Sequence, residues 1–398
     1  MVARPTTQEL GMIFQQQLRI PGPTPIPERV LRSASRPMID HRGPEFAELL
    51  ADVTAGAKRV FGTHNELLVL TCSGSGGLES AIANLTSPDD EVVAAVSGNF
   101  GERFAAMAAA YGARVVRLAV EWGEPVEPAD LAEVLDAHPQ ASLVLLTHNE
   151  TSTGVTNRLG DLVRVARSAD RLVAVDGVSS VSSMAIDVDR LGIDVAVSAS
   201  QKGWMAPPGI AFVTIGERAW ERSERARAPR YYFDWRLARK QAESGSTPWT
   251  PAIGVMYAVQ EGIRMMEEEG LENVFARHRR LADATGAGLV ALGFSLFAAE
   301  GYRSATVTSA VPMPGLDVGA YRRLLRTRYG VVIGGGQGKM TGKLLRVGHL
   351  GAVSDGDVVQ VLWAMERALE ELDIAPADGR AMAAAAQHLA EEAATAAP

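Results

Sequence analysis

The lysine at position 202 is the first residue of this sequence whose setting suggests chemistry. Lys202 lies in "AVSASQKGWMAPPG", residues 196–209, where no other charged side chain occurs. Lysine is rarely buried unless it is paired, and a desolvated lysine binds its proton less tightly. The free amine is then a nucleophile toward carbonyl groups. The alternative is an ordinary surface lysine, and the apolar flanks weaken that interpretation.

An aspartate precedes this lysine by one strand–helix unit. Asp176 ends the apolar run "RLVAV" and stands 26 residues before Lys202. That spacing can bring both side chains into one crevice. Asp176 suits three roles: a helix N-cap, which is the commonest for an acidic residue in this position, a metal ligand, or a carboxylate directed at a ring nitrogen.

A run of small residues, "TCSGSGGLES", joins an apolar segment to a helical one. Backbone N–H groups at a helix start, together with the hydroxyls of Ser73 and Ser75 around Gly74, suit a phosphate. The same run is also typical of a plain strand-to-helix turn. It is not a dinucleotide-binding fingerprint because Glu79 occupies the third glycine position, and no Walker lysine follows.

Two further side chains complete the candidate set. Arg346 follows the glycine-rich run "GGGQGKMTGKLL", and a guanidinium can clamp a carboxylate, although an arginine on an ordinary strand fits equally. Phe100 can stack on a flat cofactor, although a single phenylalanine more often belongs to the core. Phosphate cradle, carboxylate, nucleophilic lysine and carboxylate clamp together predict pyridoxal 5′-phosphate (PLP) chemistry.

The elements that position these residues alternate between strand and helix. Continuous apolar runs predict strands at 66–70, 91–96, 114–120, 141–148, 171–177 and 195–200, with helical segments between them. This rhythm predicts an α/β fold with a mainly parallel sheet covered by helices on both faces. Ligands bind at the carboxyl ends of such strands, which is where the candidate residues occur.

Changes in composition and in the pattern of predicted elements divide the sequence into four parts. We predict an N-terminal arm at 1–20, a large cofactor-binding domain at 21–260 and a smaller α+β domain at 261–375. Residues 376–398 are alanine-rich and predict a solvent-facing helix or a frayed tail.

Composition excludes several classes of protein. The chain has 398 residues, a net charge of −8 and one cysteine, Cys72. No basic tract favours nucleic acid or anionic membrane, and one cysteine excludes a disulfide framework and a cysteine-rich zinc site. Neither a secretory signal nor a membrane-length apolar stretch is evident, so we expect a cytoplasmic protein.

The ordered set of motifs resembles the class V aminotransferase family of fold-type I PLP enzymes, and within it the alanine–glyoxylate and serine–glyoxylate group. The resemblance covers about residues 20–370 and is carried by "IPGPTPIP", "HRGPEF", "SGSGGLESAIANL", "GNFGERF", "THNETSTGV", "VDGVSSV", "SQKGWMAPPG", "STPWTPAI" and "KLLRVGHLG". It implies a large domain with a mainly parallel seven-stranded sheet and a smaller C-terminal domain.

The resemblance also implies roles for individual residues. Lys202 would form a Schiff base with PLP, and Asp176 would pair with the pyridine nitrogen. The other implied cofactor contacts are Ser73, Gly74, Ser75 and Gln201 at the phosphate, Phe100 on the ring face, Ser152 near the 3-oxygen, and Thr250 from the neighbouring subunit of a homodimer. Phe100 stands where many members have tryptophan. Arg346 would hold the substrate carboxylate. His41 and Arg42 either border the substrate or only pack the dimer, so neither has one assigned role.

The implied reaction is ping-pong transfer of an amino group from alanine or serine to glyoxylate or pyruvate. A phosphonate or pyridoxamine-like amine is an alternative donor. A PLP lyase or desulfurase is an alternative reaction, although Cys72 sits beside the phosphate loop, which is a poor position for a mobile catalytic cysteine. A nucleotide-binding or regulatory protein would leave Lys202, Asp176 and Arg346 without a shared explanation.

Overall fold

The computed structural model describes residues 16–390. Residues 1–15, most of the predicted arm, and residues 391–398, the end of the predicted tail, lie outside the described residues. None of the described helices is long and apolar enough to cross a membrane.

The longer strands coincide with short apolar runs rich in valine, leucine and isoleucine. The strands are Gln17–Arg19 (β1), Glu66–Leu70 (β2), Glu91–Val96 (β3), Arg114–Ala119 (β4), Ala141–Thr147 (β5), Asn149–Glu150 (β6), Val155–Thr156 (β7), Leu172–Asp176 (β8), Val195–Ala199 (β9), Ala211–Ile215 (β10), Ser295–Leu296 (β11), Val307–Val311 (β12), Val331–Gly335 (β13) and Leu345–Gly348 (β14).

The helices begin at residues that suit a helix start. Pro44 and Pro128 occupy first-turn positions, and Ser354 and Asp357 form a reciprocal capping box. The helices are Glu28–Ala34 (α1), Pro44–Phe61 (α2), Gly74–Leu85 (α3), Asn99–Ala110 (α4), Pro128–Ala137 (α5), Leu159–Ser168 (α6), Val188–Leu191 (α7), Glu217–Arg225 (α8), Trp235–Glu243 (α9), Ile253–Glu269 (α10), Leu271–Ala291 (α11), Val318–Arg328 (α12), Asp355–Glu371 (α13) and Arg380–Ala390 (α14).

The large sheet has seven strands in the order β2-β10-β9-β8-β5-β3-β4. Only β10 runs antiparallel to its neighbours, and the other pairings are parallel. The predicted α/β class and mainly parallel seven-stranded sheet are therefore confirmed. Parallel pairing aligns the carboxyl ends of β3, β5, β8 and β9 along one edge.

Both faces of the large sheet are buried, as a doubly covered sheet requires. Every residue of β8 and β9 is buried, and alternate residues enter different apolar clusters. Val173 and Ala196 belong to the cluster that contains α2 and α10, whereas Val195 and Val197 belong to the cluster that contains α3. The sheet is thereby a rigid platform for the residues at its edge.

The small sheet has five strands in the order β1-β13-β14-β12-β11. Its edge strand β1 comes from the predicted N-terminal arm and pairs in parallel with β13 through Gln17↔Val331 and Arg19↔Ile333. Arg19 also forms an ion pair with Asp357 of α13. The next five residues, 20–24, run from this sheet to the edge of the large sheet, and we call them the connecting segment.

The alanine-rich tail is helical over α14, and one of its faces is not solvent-facing. Ala381 and Ala385 are fully buried in the apolar cluster that also contains Leu281 and Leu289 of α11. Residues four apart share a helix face, so these two alanines form a packing stripe. The expectation of a solvent-facing helix was wrong on this face because small side chains permit close helix–helix approach.

Candidate active site

A cavity of about 170 Å³ opens at the carboxyl edge of the large sheet. Seven of the predicted site residues border it: Ser73, Gly74, Ser75, Phe100, Asp176, Gln201 and Lys202. Gly22, Pro23, Leu78, Arg103, Thr151, Val178 and Ser179 complete its lining. The carboxyl edge of the sheet thus brings together residues that are far apart in the sequence.

Lys202 lies in the turn that follows β9, and the connecting segment covers it. Thr24 Oγ1 donates to the Lys202 carbonyl oxygen at 3.0 Å, and Lys202 Nζ donates to the carbonyl oxygen of Pro21. Burial lowers the pKa of Lys202 to about 8, and the nearby Asp176 opposes that shift. A substantial fraction of the amine is therefore unprotonated in mildly alkaline solution.

Gly22 has no room for a side chain beside this amine. Its φ is +121°, and a Cβ there would lie 2.7 Å from Lys202 Nζ and 2.8 Å from Lys202 Cδ. Because the obstructed atoms belong to a flexible side chain, a larger residue would displace the lysine, and the positive φ would also strain the backbone of that residue. Gly22 thus fixes the place of the amine.

Replacing Gly22 with alanine is expected to lower kcat by about 100-fold, because a displacement of about 1 Å at a reacting group has that effect. Steady-state transamination assays measure it, and the positive φ should also lower the thermal stability of the variant. Gly315→Ala is the matched control, since Gly315 also has a positive φ (+87°) but a Cβ there would meet nothing within 4 Å. Equal losses in both variants would contradict a specific effect on Lys202.

Asp176 ends β8 on the floor of the cavity. It is 5% exposed, and its Oδ1 accepts the Val178 backbone N–H at 2.9 Å. Burial raises the pKa of Asp176 to about 6, while that hydrogen bond and the Lys202 and Arg103 charges lower it. A buried carboxylate close to a lysine amine is an arrangement that active sites use to tune both groups.

The start of α3 offers unused donors to the same cavity. Ser73 is the N-cap residue, yet its side chain makes no capping hydrogen bond. The first backbone N–H groups of a helix have no partner within the helix, so they are available to an anion. A Cβ on Gly74 would lie 2.9 Å from Val178 Cγ2, which shows how closely the backbone approaches the opposite wall. Gln201 Oε1 is buried without a hydrogen-bond partner among the described residues.

These features fit PLP. The cofactor has an anionic phosphate, a ring nitrogen that binds a proton and an aldehyde that reacts with amines. The cavity provides helix-start donors, a buried carboxylate and an amine with a lowered pKa in one enclosed space.

Arg103 is a cavity residue that sequence reasoning missed. Its guanidinium lies 5.0 Å from the Phe100 ring centre, and Nη1 donates to Ser75 Oγ at 3.4 Å. A signal for it exists, because residues three apart on a helix share a face and Phe100 is itself a candidate site residue. Arg103 adds positive charge at the predicted phosphate end.

Glu150 is a second missed residue, and it organises the start of α4 from outside the cavity. Its Oε2 accepts the backbone N–H groups of Phe100 and Gly101, both at 3.0 Å. Its Oε1 accepts Ser152 N at 3.0 Å and Ser152 Oγ at 2.5 Å. The N-cap residue Gly98 has no side chain, and a Cβ there would lie 2.4 Å from Glu150 Cγ. Glu150 therefore caps α4 and holds Phe100 in place.

Replacing Glu150 with glutamine is expected to lower the free energy of unfolding by about 2 kcal/mol. Glutamine keeps the shape but has one acceptor oxygen, and hydrogen bonds to charged groups are the stronger kind. Urea denaturation measures the change. Glu133→Gln, at an exposed position of α5, is the control and should leave stability within about 0.5 kcal/mol of the parent. A Glu150→Gln midpoint equal to that of the control would show that the cap contributes nothing.

The remaining predicted residues lie outside the cavity lining. Ser152 Oγ donates to Glu150 and accepts the backbone N–H of Asn99 at 2.9 Å. Arg346, only 6% exposed, donates from Nη1 to the carbonyl oxygen of Thr151 at 3.0 Å, and Thr151 borders the cavity. Burial lowers the pKa of Arg346 to about 10, with Glu150 opposing the shift. The roles predicted for both residues stay predictions.

Thr250 is exposed, just before α10. Two residues without an assigned role contact the segment that carries it. Arg42 Nη1 donates to Ser246 Oγ at 3.1 Å, and the His41 carbonyl oxygen accepts from Ser246 Oγ at 3.3 Å. His41 and Arg42 thus support the loop that leads to Thr250.

Cys72 lies directly after β2, next to the start of α3. Burial, together with the nearby Glu79, raises the pKa of its thiol to about 12. A catalytic cysteine needs the thiolate form and a lowered pKa. The raised pKa makes Cys72 a poor candidate for a catalytic thiolate, which disfavours the desulfurase alternative.

Comparison with known proteins agrees with this fold. The sequence pattern of the aminotransferase class-V family matches residues 21–349. The L-aspartate–glyoxylate aminotransferase of Paracoccus denitrificans is 37% identical over 95% of this chain and 97% of its own. The serine–glyoxylate aminotransferase of Methylorubrum extorquens is 33% identical over 95% of this chain and 96% of its own. A protein of Synechococcus named soluble hydrogenase, small subunit, is 41% identical over 89% of this chain and 93% of its own.

The fold is shared with a solved structure as well. The ureidoglycine–glyoxylate aminotransferase of Bacillus subtilis superposes with a TM-score of 0.90 at 28% identity, over 95% of this chain and 99% of that one. Because the family match spans most of the chain and the fold agrees with it, the chain belongs to the class V aminotransferases, a PLP-dependent family of transaminases.

Proposed function

We propose that this chain uses PLP to move the amino group of a small amino acid, alanine or serine, to glyoxylate or pyruvate in two successive half-reactions. The observation that carries the proposal is the meeting of Lys202 and Asp176 in one cavity with the free donors of α3. The glyoxylate part is supported by the three similar aminotransferases, whose names all include that acceptor.

Residues around the cavity would each bind a different part of the cofactor. Ser73, Gly74 and Ser75 would hold the cofactor's phosphate, with Gln201 beside them, and Phe100 would stack on the ring. Asp176 would keep the ring nitrogen protonated. When bound in this way, PLP accepts the electron pair released as the Cα–H bond of the amino acid breaks.

Lys202 has the second task of moving that proton. With the amino acid in its place on the cofactor, the Lys202 amine would take the proton from the substrate Cα and deliver it to the carbon of the cofactor's aldehyde group. A base of this kind works best when its pKa lies near the operating pH, and burial brings the pKa of Lys202 to about 8. Arg346 would bind the substrate carboxylate once the hydrogen bond from its Nη1 to the Thr151 carbonyl oxygen breaks.

A homodimer follows from the same proposal, with Thr250 reaching the partner subunit's phosphate site. The chain displays an aromatic surface next to Thr250. Tyr231 is 73% exposed and Tyr232 is 43% exposed, and the Tyr232 ring stacks on Trp249 with centres 5.5 Å apart. Exposed aromatic clusters of this kind are typical of protein–protein interfaces.

A half-reaction screen tests the proposed donors. The PLP-loaded enzyme is mixed with alanine, serine, aspartate or pyridoxamine, and loss of the visible cofactor band is followed. Rapid loss with alanine or serine supports the proposal, whereas a response to aspartate or pyridoxamine alone overturns the donor assignment. Ammonia release without an added 2-oxo acid would indicate the lyase alternative.

A further inference from the structure

A second cavity, of about 490 Å³, lies in the small domain between α11, β12 and α14. Small and apolar side chains form most of its wall, including Ala282, Gly286, Ala287 and Leu296. It shares no lining residue with the cavity around Lys202. A space of this size and polarity suits a small organic molecule.

One polar atom inside this cavity lacks a partner. Ser309 is 3% exposed, and its Oγ makes no hydrogen bond within the part of the chain that the structure describes. Gly154, which also lines the cavity, packs against Ser309, because a Cβ at Gly154 would lie 3.0 Å from that oxygen. A buried hydroxyl without a partner is costly, so a polar atom of a ligand would be stabilised beside it.

The mouth of the cavity carries net positive charge. Arg279 and Arg303 both line it and are exposed, against a single aspartate, Asp283. Arg279 Nη1 donates to the Arg303 carbonyl oxygen at 3.2 Å, and among residues 16–390 neither guanidinium forms an ion pair. Free guanidinium groups at the rim of an apolar space favour a carboxylate with an apolar tail.

We propose that this cavity binds a medium-chain monocarboxylic acid. The tail would lie against the alanines and Leu296, and the carboxylate would meet Arg303 and the Ser309 hydroxyl. This ligand differs from the amino and 2-oxo acids of the catalytic reaction, because its chain has no polar group. The site therefore stands apart from the proposed catalytic function.

The two carboxylate-binding regions are neighbours in the small sheet, so a test has to separate them. Ser309 on β12 is the register partner of Arg346 on β14. A carboxylate probe could therefore bind at Arg346 instead. Variants on each side of this strand pair distinguish the two places.

Calorimetric titration of the PLP-loaded enzyme with octanoate tests the proposal. We expect saturable binding that weakens about tenfold in Arg303→Gln, about fivefold in Ser309→Ala, and about tenfold when octan-1-ol replaces octanoate. Ala287→Leu, which fills the cavity without touching a charge, should abolish binding. Arg326→Gln, an exposed arginine of α12, and Arg346→Lys should leave the affinity unchanged.

Two results would overturn the proposal. One is the absence of saturable octanoate binding at millimolar concentrations. The other is binding that survives both Arg303→Gln and Ala287→Leu but is lost in Arg346→Lys, since that pattern places the probe in the catalytic site. Thermal unfolding of each variant checks that it is folded, and Ser309→Ala provides an independent readout if Ala287→Leu is not.

Discussion

Lys202→Ala is expected to reduce transamination by about 10⁴-fold while leaving the fold intact. The variant removes the amine that we propose binds the cofactor and moves the substrate proton, and proton transfer by a positioned base contributes up to about that factor. The loss should appear in kcat rather than in the KM of either substrate. Stopped-flow half-reactions with the preferred amino acid measure it directly.

A second lysine provides the matched control for this variant. Lys240 lies exposed on α9, and Lys240→Ala should retain the activity of the parent enzyme. If purified Lys202→Ala kept the visible cofactor band of the parent enzyme in the absence of added amine, Lys202 would not be the cofactor-binding lysine.

The lowered pKa of Lys202 gives the same prediction a pH dependence. The amine reacts only when it is unprotonated, and its pKa in the folded protein is about 8. The rate at which cofactor-free enzyme takes up PLP should therefore rise as the pH rises through about 8 and level off above it. A rate that still increases about tenfold per pH unit near pH 9 would show that Lys202 has the pKa of an exposed lysine.

Asp176→Asn is expected to lower kcat by about 10³-fold. Asparagine has nearly the same shape and can still accept the Val178 N–H, but it cannot hold a positive charge on a ring nitrogen. In a buried site a charge acts through a weakly polarisable medium, so its removal has a large effect on the reaction. Steady-state assays and single-turnover half-reactions should show the same loss.

Two companion variants separate charge from shape at this position. Asp176→Glu keeps the carboxylate and should recover part of the activity that Asp176→Asn loses. Asp136→Asn, at an exposed position of α5, should have no effect. Equal activity in Asp176→Glu and Asp176→Asn would show that the charge of Asp176 is not what the reaction requires.

The sequence predicts the large domain well because its strands are continuous apolar runs between helices. The run "EVVAAV" is a strand at the predicted residues, and the other predicted strands of the sheet end within one residue of the structure. Strand β10, "AFVTI", was missed because it follows a Pro-Pro-Gly turn with no helix before it. Strand β1 was missed because its partner β13 lies more than 300 residues later in the chain.

The site could be predicted only where a residue's own neighbours in sequence reveal its place. Strand exits located Asp176 and Lys202, because a parallel sheet gathers all its carboxyl ends. Glu150 and Gly22 act through contacts with α4 and with Lys202, and no local pattern encodes such contacts. Family resemblance supplied the predicted roles of Ser152 and Thr250, whereas in a single chain Ser152 contacts Glu150 and Asn99 and Thr250 is exposed.

The connecting segment, residues 20–24, joins the small sheet to the Lys202 amine at the edge of the large sheet. Strand β1 is fixed to β13 in the small sheet, and only a few residues later Pro21 accepts from Lys202 Nζ and Thr24 donates to the Lys202 carbonyl. Any rotation of the small sheet against the large one must therefore be absorbed within residues 20–24 or passed on to Lys202. The position of Lys202 Nζ thus depends on the relative orientation of the two sheets. A hinge movement far from the cavity would shift Pro21 and Thr24, and Lys202 would move with them.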